Sequence, residues 1–372
     1  MCDWFDPAYK AGGPIRSAVN FVQHMKEEYD LFVFTGNTDL NQTAPLTGIV
    51  SNHWVEYSRN VKVFYADRDH QRLSSIRKTM DFVQADFIYL NSVFSTSFTI
   101  FPLLLKLRGL TGRAKLVLSP RGMLRPSALQ FKPLKKRVFL FALKITSLPS
   151  AIKFIATDAS EANDIKSVFR NCNIQIASNF GAAIIPFLDP IDKIPGEISI
   201  IFIGRVHPIK NLDFLLRALL VVKGKIKLTI VGVLEDASYW EECKRIVEQS
   251  STDLIIDFKA DIPHHELSNL IANHHIFALP TQGENYGHAI FESLSHGKPV
   301  VISDQTPWRN LEQVKAGWDL PLNNPSLFSN VLQTTVNWNS EQYKDWSLAA
   351  RKKAELAADH SELKNVYKTI FT

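Results

Sequence analysis

The densest chemistry in this 372-residue chain lies in residues 280–307, PTQGENYGHAIFESLSHGKPVVISDQTP. A polar, glycine-containing loop separates a buried apolar run from a helix expected to start near His288. Backbone N–H groups and the positive end of the helix dipole converge there, an arrangement suited to phosphate. Glu284 stands just before that helix and Glu292 within it, with seven residues between them. The first could accept hydrogen bonds from sugar hydroxyls, and the second could reach a ribose. Taken alone, such a pair arises often by chance, as one carboxylate favouring a helix start and another simply solvated.

A second cluster is GRVHPIK, residues 204–210. Gly204 lets a loop approach a ligand closely, while Arg205 offers a planar fork of donors and Lys210 a point charge, a combination that suits a pyrophosphate. Near the start of the chain, Gly12-Gly13-Pro14 leads into a helix and forms a third loop able to present N–H groups to an anion. It lacks the GxGxxG spacing of a dinucleotide fingerprint.

These residues need a scaffold. Runs rich in Val, Ile and Phe alternate with helical stretches, the pattern of parallel sheets covered by helices, so the fold class is α/β. Strands are expected at 29–35, 61–65, 87–90, 115–119 and 154–157, with helices at 16–28 and 159–169 among them. After the Pro- and charge-rich stretch 189–197 the alternation restarts, with strands at 198–203, 227–231, 254–258, 276–279 and 299–302. Helices are expected between them at 211–222, 238–250, 264–273 and 288–296, and the chain from about 325 onward is helical in pattern. Two doubly wound domains follow, 1–188 and 189–372, the last helices packing back toward the first. A domain of this type opens with a buried strand, yet here Met1 leads at once into a loop at 3–13. The first strand is therefore either very short or lies ahead of Met1.

Composition narrows the function. Hydrophobic residues make up 45% and charged residues 21%, as in an ordinary folded protein and unlike a disordered one. Three dispersed cysteines, Cys2, Cys172 and Cys243, argue against a disulfide framework or structural zinc site. Apolar runs such as 101–105 are broken by Lys106 and Arg108, well short of the ~20 residues of a membrane span. With no basic-then-apolar leader at the start, a cytoplasmic location is the expectation.

Charge is unevenly placed. Residues 87–157 contain twelve bases and no acid, whereas 30 bases face 37 acids elsewhere. Such a patch attracts polyanions, phosphorylated ligands or an anionic membrane.

The blocks GGPIRSAVN (12–20), SPRGMLRPSAL (119–129), FIGRVHPIKNLDFLLRAL (202–219), ENYGHAIFE (284–292) and SHGKPVVISDQTPW (295–308) together resemble a family 4 glycosyltransferase. The resemblance implies a GT-B arrangement of two Rossmann-like domains facing across a cleft, and a retaining, metal-independent hexosyltransferase. The donor would be a nucleotide diphosphate sugar, UDP- or GDP-linked, with no further cofactor. By that resemblance Arg205 and Lys210 hold the donor's phosphates, Gly12 and Gly13 bring backbone to the distal one, Glu284 faces the donor sugar and Glu292 the ribose. Tyr286, Gly287 and His288 present N–H groups at the helix start. On the acceptor or sugar side stand Arg16 and Arg121, the latter where many relatives carry a histidine. The absence of a DxD-like pair agrees with the metal-free expectation.

Residues 131–144, FKPLKKRVFLFALK, mix Lys132, Lys135, Lys136 and Arg137 with large apolar residues at helical spacing, as in a helix resting on an anionic membrane. An ordinary domain helix with a wet basic face has the same pattern. No nucleic-acid-binding signature accompanies the charge. The expected acceptor is a glycan or lipid-linked molecule in surface polysaccharide synthesis, with the enzyme peripheral on the inner face of the membrane. Two other readings share these residues: a nucleotide-sugar epimerase on the same fold, and a non-catalytic polyanion-binding protein.

Overall fold

The computed structural model describes residues 1–130, 133–248, 253–260 and 262–372. The chain divides into two compact units, Met1–Phe180 with His360–Thr372, and Gly181–Asp359.

In the first unit β1 (Leu31–Gly36), β2 (Trp54–Ser58) and β3 (Val61–Ala66) form a three-stranded sheet in the order β1-β3-β2. β1 runs parallel to β3, and β2 lies antiparallel on its other side. β4 (Phe87–Leu90), β5 (Lys115–Leu118), β6 (Lys153–Ala156) and β7 (Asn173–Ile176) form an all-parallel sheet in sequence order. Residues 1–3 lie between β1 and β4: the Cys2 N–H donates to Phe34 O (3.2 Å) and the Gly36 N–H to Asp3 O (3.2 Å), while the Met1 ammonium donates to Tyr89 O (2.7 Å) and the Asn91 N–H to Met1 O (3.2 Å). Of the two alternatives for the first strand, the described residues form only this short stub.

Helix Gly13–Met25 turns Ile15, Ala18, Phe21, Val22 and Met25 inward at helical spacing. Phe21 packs with Phe180, Tyr367 and Phe371, so the helix Ser361–Ile370 closes this unit's core.

The second unit holds β8 (Glu197–Ile203), β9 (Lys225–Val231), β10 (Leu254–Lys259), β11 (Ile276–Leu279), β12 (Val300–Ser303) and β13 (Gly317–Leu320). They form one parallel sheet in the order β10-β9-β8-β11-β12-β13. β11 and β12 are buried at every position, as expected of central strands covered on both faces. The helix Leu212–Leu219 buries Leu212, Leu215, Leu216 and Leu219, an i, i+3, i+4, i+7 stripe. Each such side chain contributes roughly 1.5–3 kcal/mol on burial.

Expected strands and helices recur with ends shifted by a few residues. Three strands were not anticipated. β2 alternates polar and apolar residues in a half-buried antiparallel position, β7 is largely exposed, and β13 is a four-residue edge strand. None carries the continuous apolar run that marks a central parallel strand.

Candidate active site

The second unit's strand order reverses between β8 and β11, since one neighbour of β8 is β9 and the other is β11. Loops leaving the carboxyl ends of two such strands diverge to opposite faces of the sheet and leave a crevice, the usual ligand position in open α/β sheets. Residues 204–210 follow β8 and residues 280–287 follow β11. The two clusters singled out in the sequence therefore meet at one place.

Both loops are fastened. The Gln282 N–H donates to Ile209 O (2.8 Å) and Thr281 Oγ1 donates to the same carbonyl (3.0 Å), joining one loop to the other. The Glu284 N–H donates to Gln305 O (3.0 Å), tying the second loop to the one after β12. Lys210 Nζ donates to Glu284 Oε1 in an ion pair whose side chains are only 15% and 18% exposed. Arg205 is turned elsewhere: its Nη1 donates to Glu235 Oε2 (2.5 Å), on the loop after β9. That loop runs close to the first because Gly232, at φ +148°, has no side chain; a Cβ there would fall 2.1 Å from Gly204 O. His207 caps the short helical turn Pro208–Lys210 by accepting from the Ile209 N–H (3.2 Å), and burial draws its imidazole below the usual pKa.

The helix His288–Ser295 begins from Gly287, which sits in the left-handed region at φ +78°. A Cβ there would meet the Ile290 side chain at 2.7 Å, so glycine is required to start the helix at this angle. Tyr286 is buried with its ring 4.8 Å from His288, and its carbonyl accepts from Trp308 Nε1 (2.6 Å). The Tyr286 hydroxyl has no hydrogen-bond partner among the described residues, and burial, with Glu292 as a lesser cause, raises its pKa well above the ordinary value. Glu292 is half-buried in the second turn.

The remaining sequence-predicted residues belong to the first unit. Gly12, at φ +63°, is the N-cap of helix Gly13–Met25, and a side chain at Gly12 or Gly13 would meet nothing within 4 Å, so the space over this helix start is open. Asp39 holds the preceding loop by accepting from the Tyr9 (2.9 Å) and Lys10 (3.2 Å) N–H groups. Arg16 lies half-buried near Tyr57. Arg121, at φ +55°, donates through Nη2 to Tyr89 Oη (2.9 Å) and Asn91 Oδ1 (2.8 Å), leaving a buried Nη1 with no partner among the described residues. Fully buried Glu161 accepts from the Gly122 N–H (2.5 Å), Thr157 N–H (2.7 Å) and Thr157 Oγ1 (2.6 Å), clamping the loops after β5 and β6.

Sequence reasoning missed Glu235, Asp39, Glu161 and His207 as organisers. Each acts on a partner distant in sequence or on backbone, and no local spacing signals that. Of the basic helix, Lys132 lies outside the described residues. Helix Pro133–Lys144 exposes Lys135 and Arg137, whereas Lys136 folds inward, donating to Ala128 O (2.7 Å) with its ammonium 5.3 Å from the Phe94 ring centroid. Among the described residues no helix is long and apolar enough to cross a membrane.

Residues 197–336 match the family model described as Glycosyl transferases group 1. Among curated relatives, the O-antigen chain mannosyltransferase B of Escherichia coli is 29% identical over 108 residues, 28% of this chain and 28% of that one. An uncharacterized glycosyltransferase of Haemophilus influenzae is 24% identical over 205 residues, 50% of this chain and 53% of its own length. The chain thus spans about a quarter to a half of the length of these relatives. Among solved structures, Anabaena HepE in complex with UDP and glucose superposes with a TM-score of 0.70 at 16% identity, covering 98% of each chain. The sheet topology and these comparisons converge on one fold: residues 197–336 resemble the glycosyl transferases group 1 model, in a chain whose two units have the Rossmann-like α/β fold of the GT-B type.

Proposed function

We propose that this chain is a retaining glycosyltransferase moving a hexose from a UDP- or GDP-sugar to a glycan or lipid-linked acceptor in surface polysaccharide synthesis. The observation that carries the reading is the Lys210–Glu284 pair at the strand-order reversal of the group 1 domain, beside the helix start at Gly287. The UDP- and UDP-glucose-bound HepE structures and the mannosyltransferase relative support the donor and acceptor classes.

When the glycosidic bond to the donor breaks, negative charge builds on the leaving diphosphate. Lys210, Arg205 and the N–H groups at the start of helix His288–Ser295 are positive groups that stabilise it, the two side chains once the bound donor has drawn them from their carboxylate partners. Arg205 exchanges its contact with Glu235 for phosphate oxygens. Glu284, once Lys210 turns to the diphosphate, accepts from donor-sugar hydroxyls, and Glu292 serves the ribose. In this reading the positive charge comes from side chains and backbone, and no metal is called on. Arg121 Nη1 and Arg16 offer donors to a hydroxylated or anionic acceptor.

A membrane-facing role for helix Pro133–Lys144 has its own support. Leu134, Val138, Phe141 and Ile145 are 75%, 62%, 67% and 72% exposed and fall on one face, flanked by Lys135 and Arg137. An outward apolar stripe edged by bases suits an anionic surface that carries a lipid-linked acceptor.

The test is a melting-temperature screen with UDP, GDP, ADP, CMP and their sugar conjugates. A ligand at a hundred times its dissociation constant stabilises the folded state by ~2.7 kcal/mol. One diphosphate series is expected to raise the melting temperature, with Arg205→Ala losing more of the diphosphate shift than of the nucleoside shift. No shift from any series, together with no sugar release from any donor, would sink the transferase reading. An inverted anomeric centre in the product, read by NMR, would remove retention alone.

A further inference from the structure

The loop after β8 carries two cations, and each is held by a carboxylate from another loop, Lys210 by Glu284 and Arg205 by Glu235. The two pairs differ in enclosure. Lys210 and Glu284 are 15% and 18% exposed, whereas Arg205 and Glu235 are 41% and 33% exposed. An exposed ion pair contributes little, because water screens the charges and two long side chains must be held in one geometry. The Arg205 pair is therefore the one that an arriving anion opens at small cost.

The backbone beneath that pair is fixed. The Gly204 N–H donates to Val231 O (2.9 Å), the Val206 N–H to Val233 O (2.9 Å), and the Glu235 and Asp236 N–H groups both to Val206 O (3.3 and 3.2 Å). Val206 and Leu234 form a parallel bridge, and Val206 is fully buried. The close approach of Gly232 to Gly204 holds the same two segments together next to the strands. Residues 205 and 235 thus keep their places, and their side chains are what can move. The adjacent carboxylate is already spent: Asp236 accepts from Ser238 Oγ (2.6 Å) and the Tyr239 N–H (3.0 Å) at the start of helix Ala237–Glu248. Those hydrogen bonds draw its pKa below the ordinary value.

We propose that Glu235 is an internal counter-ion that competes with the donor's diphosphate for Arg205, and so sets how tightly the nucleotide is held and how readily it leaves. This rests on the donor reading given above and adds to it a residue that acts through Arg205, a positioning residue and not a catalytic one. While Glu235 holds the guanidinium, Arg205 is withheld from phosphate, and the affinity for a diphosphate falls in proportion to the share of chains in that arrangement. For a pair this exposed the reduction is about two- to fivefold. After transfer the same carboxylate recaptures the guanidinium as the diphosphate departs, which shortens the stay of the product. Lys210 shares a more enclosed pair, so Arg205 is the first of the two cations to change partners.

The test measures binding of inorganic pyrophosphate, UDP and GDP by calorimetry to the parent chain, Glu235→Gln, Arg205→Gln and the double variant. Glu235→Gln keeps the shape of the side chain and removes its charge, and the pair is too exposed for its loss to unfold the protein. It is expected to tighten pyrophosphate, and the nucleoside diphosphate that the parent prefers, by about two- to fivefold and to slow release of that nucleotide by a similar factor in stopped flow. Uridine and guanosine should bind as they do to the parent. On the Arg205→Gln background the same change should gain less than about half as much, because no guanidinium is left to release. Equal gains on both backgrounds would mean that Glu235 acts only through its general repulsion of anions, and would overturn the proposal. No gain, or weaker binding, overturns it as well. If the parent binds diphosphate and Glu235→Gln gains nothing, Glu235 alone is removed; if neither binds any of the three, the donor reading falls and takes this inference with it.

Discussion

Glu284 and Lys210 come from loops 74 residues apart, and removing Glu284 takes from Lys210 the carboxylate that balances its largely buried charge. Breaking such a pair costs more than the pair itself contributes, because one ion remains desolvated. Glu284→Ala should therefore lower melting modestly while reducing transfer far more than tenfold. Transfer within tenfold of the parent would take Glu284 out of the mechanism. At the same scale His275 has a clear protonation state. Its Nδ1 accepts from the Ser199 N–H (2.9 Å), so its other nitrogen donates to Asp192 O (3.0 Å), and the ring is neutral. Burial draws its pKa down to about 4 from 6.5. The folded chain thus binds fewer protons than the unfolded chain between those values, so this stabilisation is whole above pH 6.5 and is lost as pH falls to about 4. The loss is roughly 3 kcal/mol, and His275→Gln should flatten melting temperature against pH in that interval. An unchanged slope would show that other groups carry the acid sensitivity.

At the scale of elements, helix His288–Ser295 and helix Pro133–Lys144 do different work. The first depends on its starting angle. Gly287→Ala forces a Cβ against Ile290 at φ +78°, costing about 1–3 kcal/mol and turning the first N–H groups away from the proposed anion site. Calorimetry and diphosphate titration should both show the loss; unchanged affinity in a destabilised variant would separate the helix start from phosphate binding. The second helix buries Leu140 and Leu143 but leaves Leu134, Val138 and Phe141 outside. Replacing Val138 and Phe141 by Ser should leave folding intact and reduce co-sedimentation with anionic vesicles. Unaltered sedimentation would return this helix to an ordinary exposed one.

For the whole molecule, the acid-free window 87–157 places a positive field on the first unit while the rest of the chain carries an acidic excess. Coulombic attraction to a surface is screened over about 8–10 Å at physiological salt. Vesicle binding should therefore weaken steeply from 50 to 500 mM salt and vanish on neutral lipid. Salt-independent binding would point to the apolar stripe alone.

What was legible in the sequence was mostly periodic or compositional: continuous apolar runs for the central strands, helical spacing for Leu212, Leu215, Leu216 and Leu219, and glycine-containing loops whose Arg, Lys and Glu side chains suit phosphates and sugars. Those signals are local, because burial on both faces of a parallel strand and one face of a helix writes itself into neighbouring residues. Weakly buried strands such as β2 and β7 left no comparable mark. The partners of charge were decided only by the tertiary structure. Nothing near Arg205 announces Glu235, nothing near Lys210 announces Glu284, and Glu161 shows no motif, because each pairing depends on which strand lies beside which. Strand order is set by the packing of helices over the whole sheet. It alone brings residues 204–210 and 280–287 to one crevice.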